Sequence, residues 1–503
     1  MMQKFAMEAL VVRKSIKIEH QFKDATALAQ AIVRGELSAF DAVQESLKQI
    51  DRYNPELAAV SFCDAELALQ QAKLQDTELA QLSADQRQLL LRQKPFFGVP
   101  SLMKDLGTAA LDLPSQMGSK AFSAAGLGPL KWTTDAELVK RYRRAGLNLF
   151  GRTTSPEFGI SASTEADAYQ YLGGPTRNPY ALDRSAGGSS GGAAAAVAGG
   201  LVHIANASDG AGSIRIPASC CGLWGLKPSR GLMPCGPLVG ESWGGLATEH
   251  VLTISVRDSA AMLKATAGVD LGAPYAAPQL ELDNPSKLPF KPLRIALCTT
   301  TFDGEAIDSQ VADVVISLAK RLQSLGHHVE QARPAISGFD VIASVIRIMA
   351  CGTAMIVDTW NRPELEALLE PSTQGAVALG RSISAAEYLK ILASLHQVTR
   401  TVAAFHEQYD VMLCPTLAEP PALLGRFAMT NADYLDYRLG PSGLWRYSPF
   451  TPLANATGQP SMSVPAGMSL DGLPIGAMIT GRFGDDLRVL ELAAQIEGLE
   501  LLL

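Results

Sequence analysis

An α/β fold organised by a large, mainly parallel or mixed sheet is predicted by three features: the length of the chain, the alternation of strand-like with helix-like segments, and strand-like runs that return near the C-terminus. The 503 residues are 47% hydrophobic and 18% charged. That is enough apolar sequence for a sizeable core, and a length that ordinarily splits into two or more domains unless one sheet unites it. Apolar runs at 147–150, 201–204, 293–297 and 410–413 read as strands. Helical periodicity occupies 135–145, 258–267, 308–325 and 485–499. Strands alternating with helices in this way belong to α/β architectures.

The first 80 or so residues carry two helical segments. One runs from Asp24, suited to an N-cap, to Gly35, suited to a stop, and the other begins near Ser38. Residues 270–292 hold five prolines and little periodicity, which marks a linker between an earlier half and a more helical later segment. Val464, Ile475 and Met478 nevertheless lie in two strand-like runs that can rejoin the main sheet. The expected organisation is therefore one domain over 1–503. It has a helical N-terminal layer at 20–80, a core at 90–260, a helical insertion at 300–410 and a return to the sheet at 410–503.

Composition excludes several classes of partner. The formal net charge is −7, and there is no stripe of Lys and Arg interleaved with aromatics, so direct nucleic-acid binding is not expected. Seven cysteines, none spaced C-x-x-C, are an odd number without zinc or thioredoxin-like spacing. Reduced thiols in a cytoplasmic protein are the expectation, with no metal and no cofactor. Lys4, Glu8, Arg13, Lys14 and Lys17 interrupt the N-terminal apolar stretch before it reaches signal-peptide length. No run is expected to reach the ~18 apolar residues of a membrane span.

The most unusual stretch is Ser185-Ala-Gly-Gly-Ser-Ser-Gly-Gly-Ala193. A flexible linker would have polar flanks, whereas this tract opens directly onto the alanine-rich run 194–198, so its glycines suit close backbone approach or positive φ. Gly187-x-Ser189-x-Gly191 matches a nucleophile elbow, but residues 178–184 make a poor strand and no histidine sits in a fitting context. Ser101-Leu-Met-Lys104 matches S-x-x-K without its companion motifs, and the pattern recurs at Ser317-Leu-Ala-Lys320. Gly210-Ala-Gly212 is followed by Arg215 where a dinucleotide fingerprint wants a glycine or alanine.

Three segments taken together explain what these readings leave over. They are Phe97-Gly-Val-Pro-Ser-Leu-Met-Lys-Asp-Leu-Gly107, the Gly/Ser tract, and Ser208-Asp-Gly-Ala-Gly-Ser-Ile-Arg-Ile-Pro-Ala-Ser219. The combination resembles the amidase signature family, and the likeness continues through Gly151-Arg-Thr-Thr-Ser-Pro-Glu-Phe158, Gly222-Leu-Trp-Gly-Leu-Lys-Pro228 and Gly458-Gln-Pro-Ser-Met-Ser-Val-Pro465. It covers roughly residues 25–260 and 410–500. Within it the nucleophile loop looks most similar to the 6-aminohexanoate cyclic-dimer hydrolase branch and related bacterial amidases.

The resemblance implies a large twisted mixed sheet covered by helices on both faces, and hydrolysis of carboxamide C–N bonds through a seryl acyl-enzyme. Lys104, Ser189 and Ser213 would form the triad, the two serines standing 24 residues apart as in the family. It also implies a cis peptide between Gly188 and Ser189, and an oxyanion hole from the backbone amides of Gly210, Ala211, Gly212 and Ser213. Ser190, Asp209 and Arg215 would support them. Ala211 departs from the family's usual glycine, which puts the geometry of the hole in question. A lysine serves as a base only when neutral, and burial can lower its usual pKa of about 10.4 by roughly 3 to 5 units. Asp105 would oppose that shift unless its side chain points away, as neighbours in an extended segment do.

The expected substrate is a small linear, cyclic or aryl amide, met by a soluble enzyme that is compatible with a homodimer. The alternative is the glutamine-hydrolysing subunit of a transfer RNA-dependent amidotransferase, although that subunit usually carries Thr-Gly-Gly before the nucleophile. Cys220 and Cys221 read as packing residues rather than nucleophiles. Cys351, Trp360, Trp445 and Phe450 lie in the region that would line the pocket, where core packing is the commoner role.

Overall fold

Residues 15–16, 20–124, 126–278 and 290–499 are described by the structure, a computed structural model. Much of the proline-rich linker expectation, and the N-terminal charged residues Lys4 to Lys17, lie outside them. The strands are β1 (Val60–Cys63), β2 (Pro100–Lys104), β3 (Asn148–Thr153), β4 (Arg177–Asn178), β5 (Ala181–Ser185), β6 (Ile204–Asp209), β7 (Trp224–Lys227), β8 (Thr248–Thr253), β9 (Arg294–Leu297), β10 (His328–Gln331), β11 (Val411–Pro415), β12 (Ser461–Met468) and β13 (Pro474–Gly481).

Eleven of these strands form one sheet in the order β1-β3-β2-β6-β8-β7-β12-β13-β11-β9-β10, while β4 and β5 make a separate ribbon. The sheet is mixed. β2 runs parallel to β3 and β6, and β9 runs parallel to β10 and β11, while β6, β8, β7, β12, β13 and β11 pair antiparallel in turn. Its centre is buried, and every residue of β2, β7, β11 and β13 is enclosed. Strands of this kind read as near-continuous apolar runs rather than alternating ones. The C-terminal runs do rejoin the sheet, as β12 and β13.

Local chemistry sets the helix ends. Asp24 caps Ala25–Arg34 by accepting from the Ala27 N–H at 2.8 Å, and Gly35 closes it at φ 77°. Ser38 and Asp41 form a reciprocal capping box for Ala39–Leu57. Helices Glu137–Arg144, Val256–Thr266, Ser309–Ser324 and Asp486–Glu497 fall within a few residues of their expected spans.

Two expectations need correction. The run 201–204 is not the strand itself. The Leu201 and Val202 amides donate to Ala196 O at the end of helix Gly191–Ala198, so ladder pairing begins only at Ile204 opposite Thr253. Helix Gly338–Asp358, at 21 residues, is long and apolar enough to cross a membrane by length and composition, contrary to the expectation from apolar runs. It packs against helices Pro371–Ser382, Ala385–Gln408 and Pro452–Thr457. Protein neighbours rather than lipid therefore account for its apolar character.

The N-terminal helix is tied to the sheet region by a carboxylate 233 residues away. Asp258 accepts from the Ala25 N–H at 2.8 Å and from the Thr26 N–H at 2.9 Å, groups that a helix leaves unpaired at its start. Asp258→Ala is expected to lower unfolding free energy by about 2–4 kcal/mol, since two enclosed amides lose their acceptor. Urea denaturation followed by circular dichroism checks this.

Candidate active site

Two strand ends, one turn and one loop carry the expected residues. Lys104 is the last residue of β2, and Ser208 and Asp209 end the neighbouring strand β6. Ser189 stands in the turn before helix Gly191–Ala198, and Ser213 lies in the loop between β6 and helix Arg215–Cys220. The Lys104 Nζ is 2.7 Å from Ser189 Oγ and 2.9 Å from Ser208 Oγ. Lys104 and Ser189 are each 1% exposed, whereas Ser213 is 8% exposed and so the most accessible of the three.

Burial lowers the Lys104 pKa to about 7, against the opposing fields of Glu249 and Asp209. Asp105 faces elsewhere, as its place in an extended segment suggests. Its carboxylate accepts from Ser115 Oγ at 2.5 Å, the Gln116 N–H at 2.9 Å and Tyr169 OH at 2.7 Å. Glu249 accepts from Asn206 Nδ2 at 3.0 Å and Thr108 Oγ1 at 2.8 Å, and desolvation raises its own pKa. Asn206 also accepts from the Lys104 N–H at 3.1 Å, which pins β2 to β6 beside the lysine.

The Gly/Ser tract is closely enclosed. The Gly188–Ser189 peptide is cis. A Cβ at Gly188 would stand 2.7 Å from Ser163 N, and one at Gly192 would stand 2.4 Å from Thr154 N. Gly159, at φ 72°, packs against Ser189 directly, for a Cβ there would lie 3.2 Å from Ser189 Oγ and 2.8 Å from Leu106 Cδ2. Ser190 Oγ donates to Ser208 O at 3.3 Å, which ties this turn to β6.

Asp209 and Arg215 form an ion pair with both side chains fully buried. Arg215 Nε and Nη2 each donate at 2.9 Å to the two carboxylate oxygens. Asp209 further accepts from the Gly212 N–H at 2.7 Å, the Ile214 N–H at 3.1 Å and Asn455 Nδ2 at 2.9 Å. Burial by itself would raise the Asp209 pKa, but the charge and hydrogen bonds of Arg215, with Asn455, hold it well below the usual carboxylate range.

These bonds correct the expected four-amide oxyanion hole. The Gly212 N–H is already engaged by Asp209, because a loop turning back over its own anchoring carboxylate spends that donor on it. Among the described residues, the N–H groups of Gly210, Ala211 and Ser213 have no protein acceptor. Ala211 is not in the left-handed region, so its methyl is accommodated, and its carbonyl accepts from Thr451 Oγ1 at 2.7 Å. The strict need for glycine falls on Gly212 instead, at φ 132°, where a Cβ would stand 2.3 Å from Thr451 Oγ1.

Other expected residues sit in packing roles. Cys220 and Cys221 are buried, and desolvation pushes the Cys220 thiol up to about 12. Phe450 meets Phe302 edge-on, Trp445 Nε1 donates to Gly440 O at 3.1 Å, and Trp360 joins Phe122 and Phe158. Cys351 is half-buried, and its Sγ is 4.0 Å from Gly380 O. Sequence reasoning missed Asn206, Ser208, Glu249, Thr451 and Asn455 as site residues. Period-two alternation along β6 could have placed 206 and 208 on one face and 209 on the other.

Residues 41–490 match the family model for amidases. The 6-aminohexanoate-cyclic-dimer hydrolase of Pseudomonas sp. (strain NK87) is 32% identical over 490 residues, covering 95% of this chain and 94% of that protein. The solved structure of a 6-aminohexanoate cyclic dimer hydrolase superposes with a TM-score of 0.84 at 31% identity, covering 95% of this chain and 96% of the other. A bacterial aryl acylamidase of the amidase signature family gives the same TM-score and coverage at 27% identity.

Arg215→Ala leaves the Asp209 carboxylate buried and without its cation, so a loss of about 3–5 kcal/mol is expected. Thermal melting at neutral pH reads that loss. Replacing Asp209 as well, in Asp209→Asn with Arg215→Met, is expected to recover part of it.

Proposed function

Because the chain belongs to the amidase family and is a hydrolase acting on amide C–N bonds, we propose that Ser213 is the nucleophile and that Ser189 and Lys104 carry its proton. We further propose that the substrate is a small linear, cyclic or aryl amide. The observation that supports this most directly is the 2.7 Å separation of Lys104 Nζ from Ser189 Oγ, both side chains buried, where burial brings the lysine to about 7. An amine so placed is neutral in a substantial fraction of molecules near pH 7 and can accept a proton.

In this reading Ser213 Oγ attacks the carbonyl carbon. Its proton passes to Ser189, which gives its own to Lys104. The carbonyl oxygen becomes an oxyanion, held by the free amides of Gly210, Ala211 and Ser213. When the tetrahedral species collapses, the C–N bond breaks, and the proton returns from Lys104 through Ser189 to the departing nitrogen. Water then attacks the acyl ester by the same relay and regenerates Ser213. Ser208 Oγ, 2.9 Å from the lysine, keeps Nζ directed at this end of β6.

The substrate class rests on the relatives, one acting on a cyclic amide dimer and another on aryl acylamides. The amidotransferase-subunit reading is the competing one, and Asp-Gly-Ala-Gly-Ser at 209–213 is less like that branch. Purified protein hydrolysing aliphatic, aryl or cyclic amides unaided favours the free-standing hydrolase. Strict dependence on partner proteins would overturn it.

Ser213→Ala is expected to abolish both amide turnover and covalent labelling by a fluorophosphonate, while Cys351→Ala labels like the wild type. Persistent labelling of Ser213→Ala would remove Ser213 from its role. The base is active only when deprotonated, so kcat/KM should climb with pH through about 7, the folded-state pKa of Lys104, and then level off. Lys104→Ala should lose on the order of 10²–10⁴-fold in rate together with that acid limb.

A further inference from the structure

Trp243 connects the oxyanion loop to the helical insertion. Its indole lies between two glycines distant in sequence. A Cβ at Gly210 would stand 2.5 Å from Trp243 Cε3 and Cζ3, and a Cβ at Gly352, in helix Gly338–Asp358, would stand 2.5 Å from Trp243 Cδ1. Both neighbours therefore have no side chain where the ring needs room. Real Cβ atoms do not approach other atoms so closely, so each backbone bears directly on the ring.

The backbone at this position is itself unusual. Trp243 has φ 52°, followed by Gly244 at 60° and Gly245 at 78°. A bulky residue seldom adopts the left-handed region unless its surroundings enforce it. Here Arg230 Nε donates to Gly245 O at 2.6 Å, and the Leu246 N–H donates to Trp243 O at 3.2 Å. Asn455 Nδ2 donates to Leu246 O at 3.1 Å, and the same nitrogen holds Asp209. The turn that aims the indole is thus fastened to the cluster that anchors the nucleophile loop.

We propose that Trp243 is a positioning residue for the reaction. Its ring fixes the peptide of Gly210, so that the free amides of the loop meet the developing oxyanion, and it seats that peptide against the insertion helix at Gly352. This rests on the oxyanion role given above to Gly210, Ala211 and Ser213. Donors for an oxyanion act through preorganised placement, so a displaced loop lowers the rate of the chemical step more than it weakens ground-state binding.

The test uses the full-length protein and a fluorophosphonate, whose phosphoryl oxygen takes the oxyanion position. Ser213 Oγ bonds to phosphorus, fluoride leaves, and the hydroxyl proton passes to the base. A displacement of about 1 Å can cost on the order of a hundredfold, so Trp243→Ala should lower kinact about ten- to a hundredfold, with KI changed by less than about threefold. Trp243→Phe, which keeps a ring, should restore most of the rate. The apparent pKa of the acid limb should stay where it is in the wild type, because Lys104 is untouched.

Gly352→Ala presses a methyl onto the same ring from a position outside the chemistry, so it too should lower kinact. Added to Trp243→Ala it should have no further effect, since the clash is gone and the two changes are then non-additive. Wild-type kinact in Trp243→Ala, a change in KI alone, or fully additive losses in the double variant would each overturn the proposal. Continued labelling of Ser213→Ala would instead overturn the catalytic reading on which it rests.

Discussion

The fully buried ion pair of Asp209 and Arg215 is the constraint around which the site is arranged. Two charges withdrawn from water carry a large desolvation cost, and the pair is tolerable only because nearly every donor and acceptor is engaged. Asp209 closes β6 and accepts from the Gly212 and Ile214 amides of the loop that follows, while Asn455 bridges it to helix Pro452–Thr457. Arg215 opens the following helix and donates to Asn455 Oδ1 at 2.6 Å. One short segment is thereby bound to elements some 240 residues later in the chain. The same arrangement uses the Gly212 amide for anchoring and leaves its neighbours free.

Lys104 gains its character from where β2 lies. The strand is flanked on both edges, by β3 and β6, and is buried along its whole length, so its terminal lysine is almost wholly withdrawn from solvent. A charge in that setting is disfavoured, so the neutral amine is substantially populated near neutrality. Glu249 and Asp209 counter the shift from a distance, and the result is about 7 rather than a permanently neutral group. Arg152 Nη1 donates to Lys104 O at 2.9 Å and so fixes the backbone of the strand end.

Close approach explains the density of glycine around Ser189. Residues 188, 191 and 192 each face backbone or a side chain where a Cβ would collide, with Ser163, Thr164 and Thr154 as the respective neighbours. Small residues here let three segments converge on Ser189, and the alanine helix that follows fills the space beneath. Trp243 serves the opposite purpose on the far side of the loop, filling the volume that two glycines leave open.

Much of this was legible in order along the chain. Asp24, Gly35 and Ser38 cap helices through contacts with residues a few positions away, so local chemistry settled those ends. The motifs around Lys104 and Ser189 were legible through the family resemblance, and their side chains meet at 2.7 Å. Separations in sequence carry no information about which hydrogen bonds form after folding. Only the tertiary structure decided that Gly212 gives its amide to Asp209, that glycine is indispensable at 212 rather than at 211, and that Ser208, Glu249 and Asn455 surround the site. Those outcomes depend on burial and on partners brought from distant strands, and both exist only once the sheet has assembled.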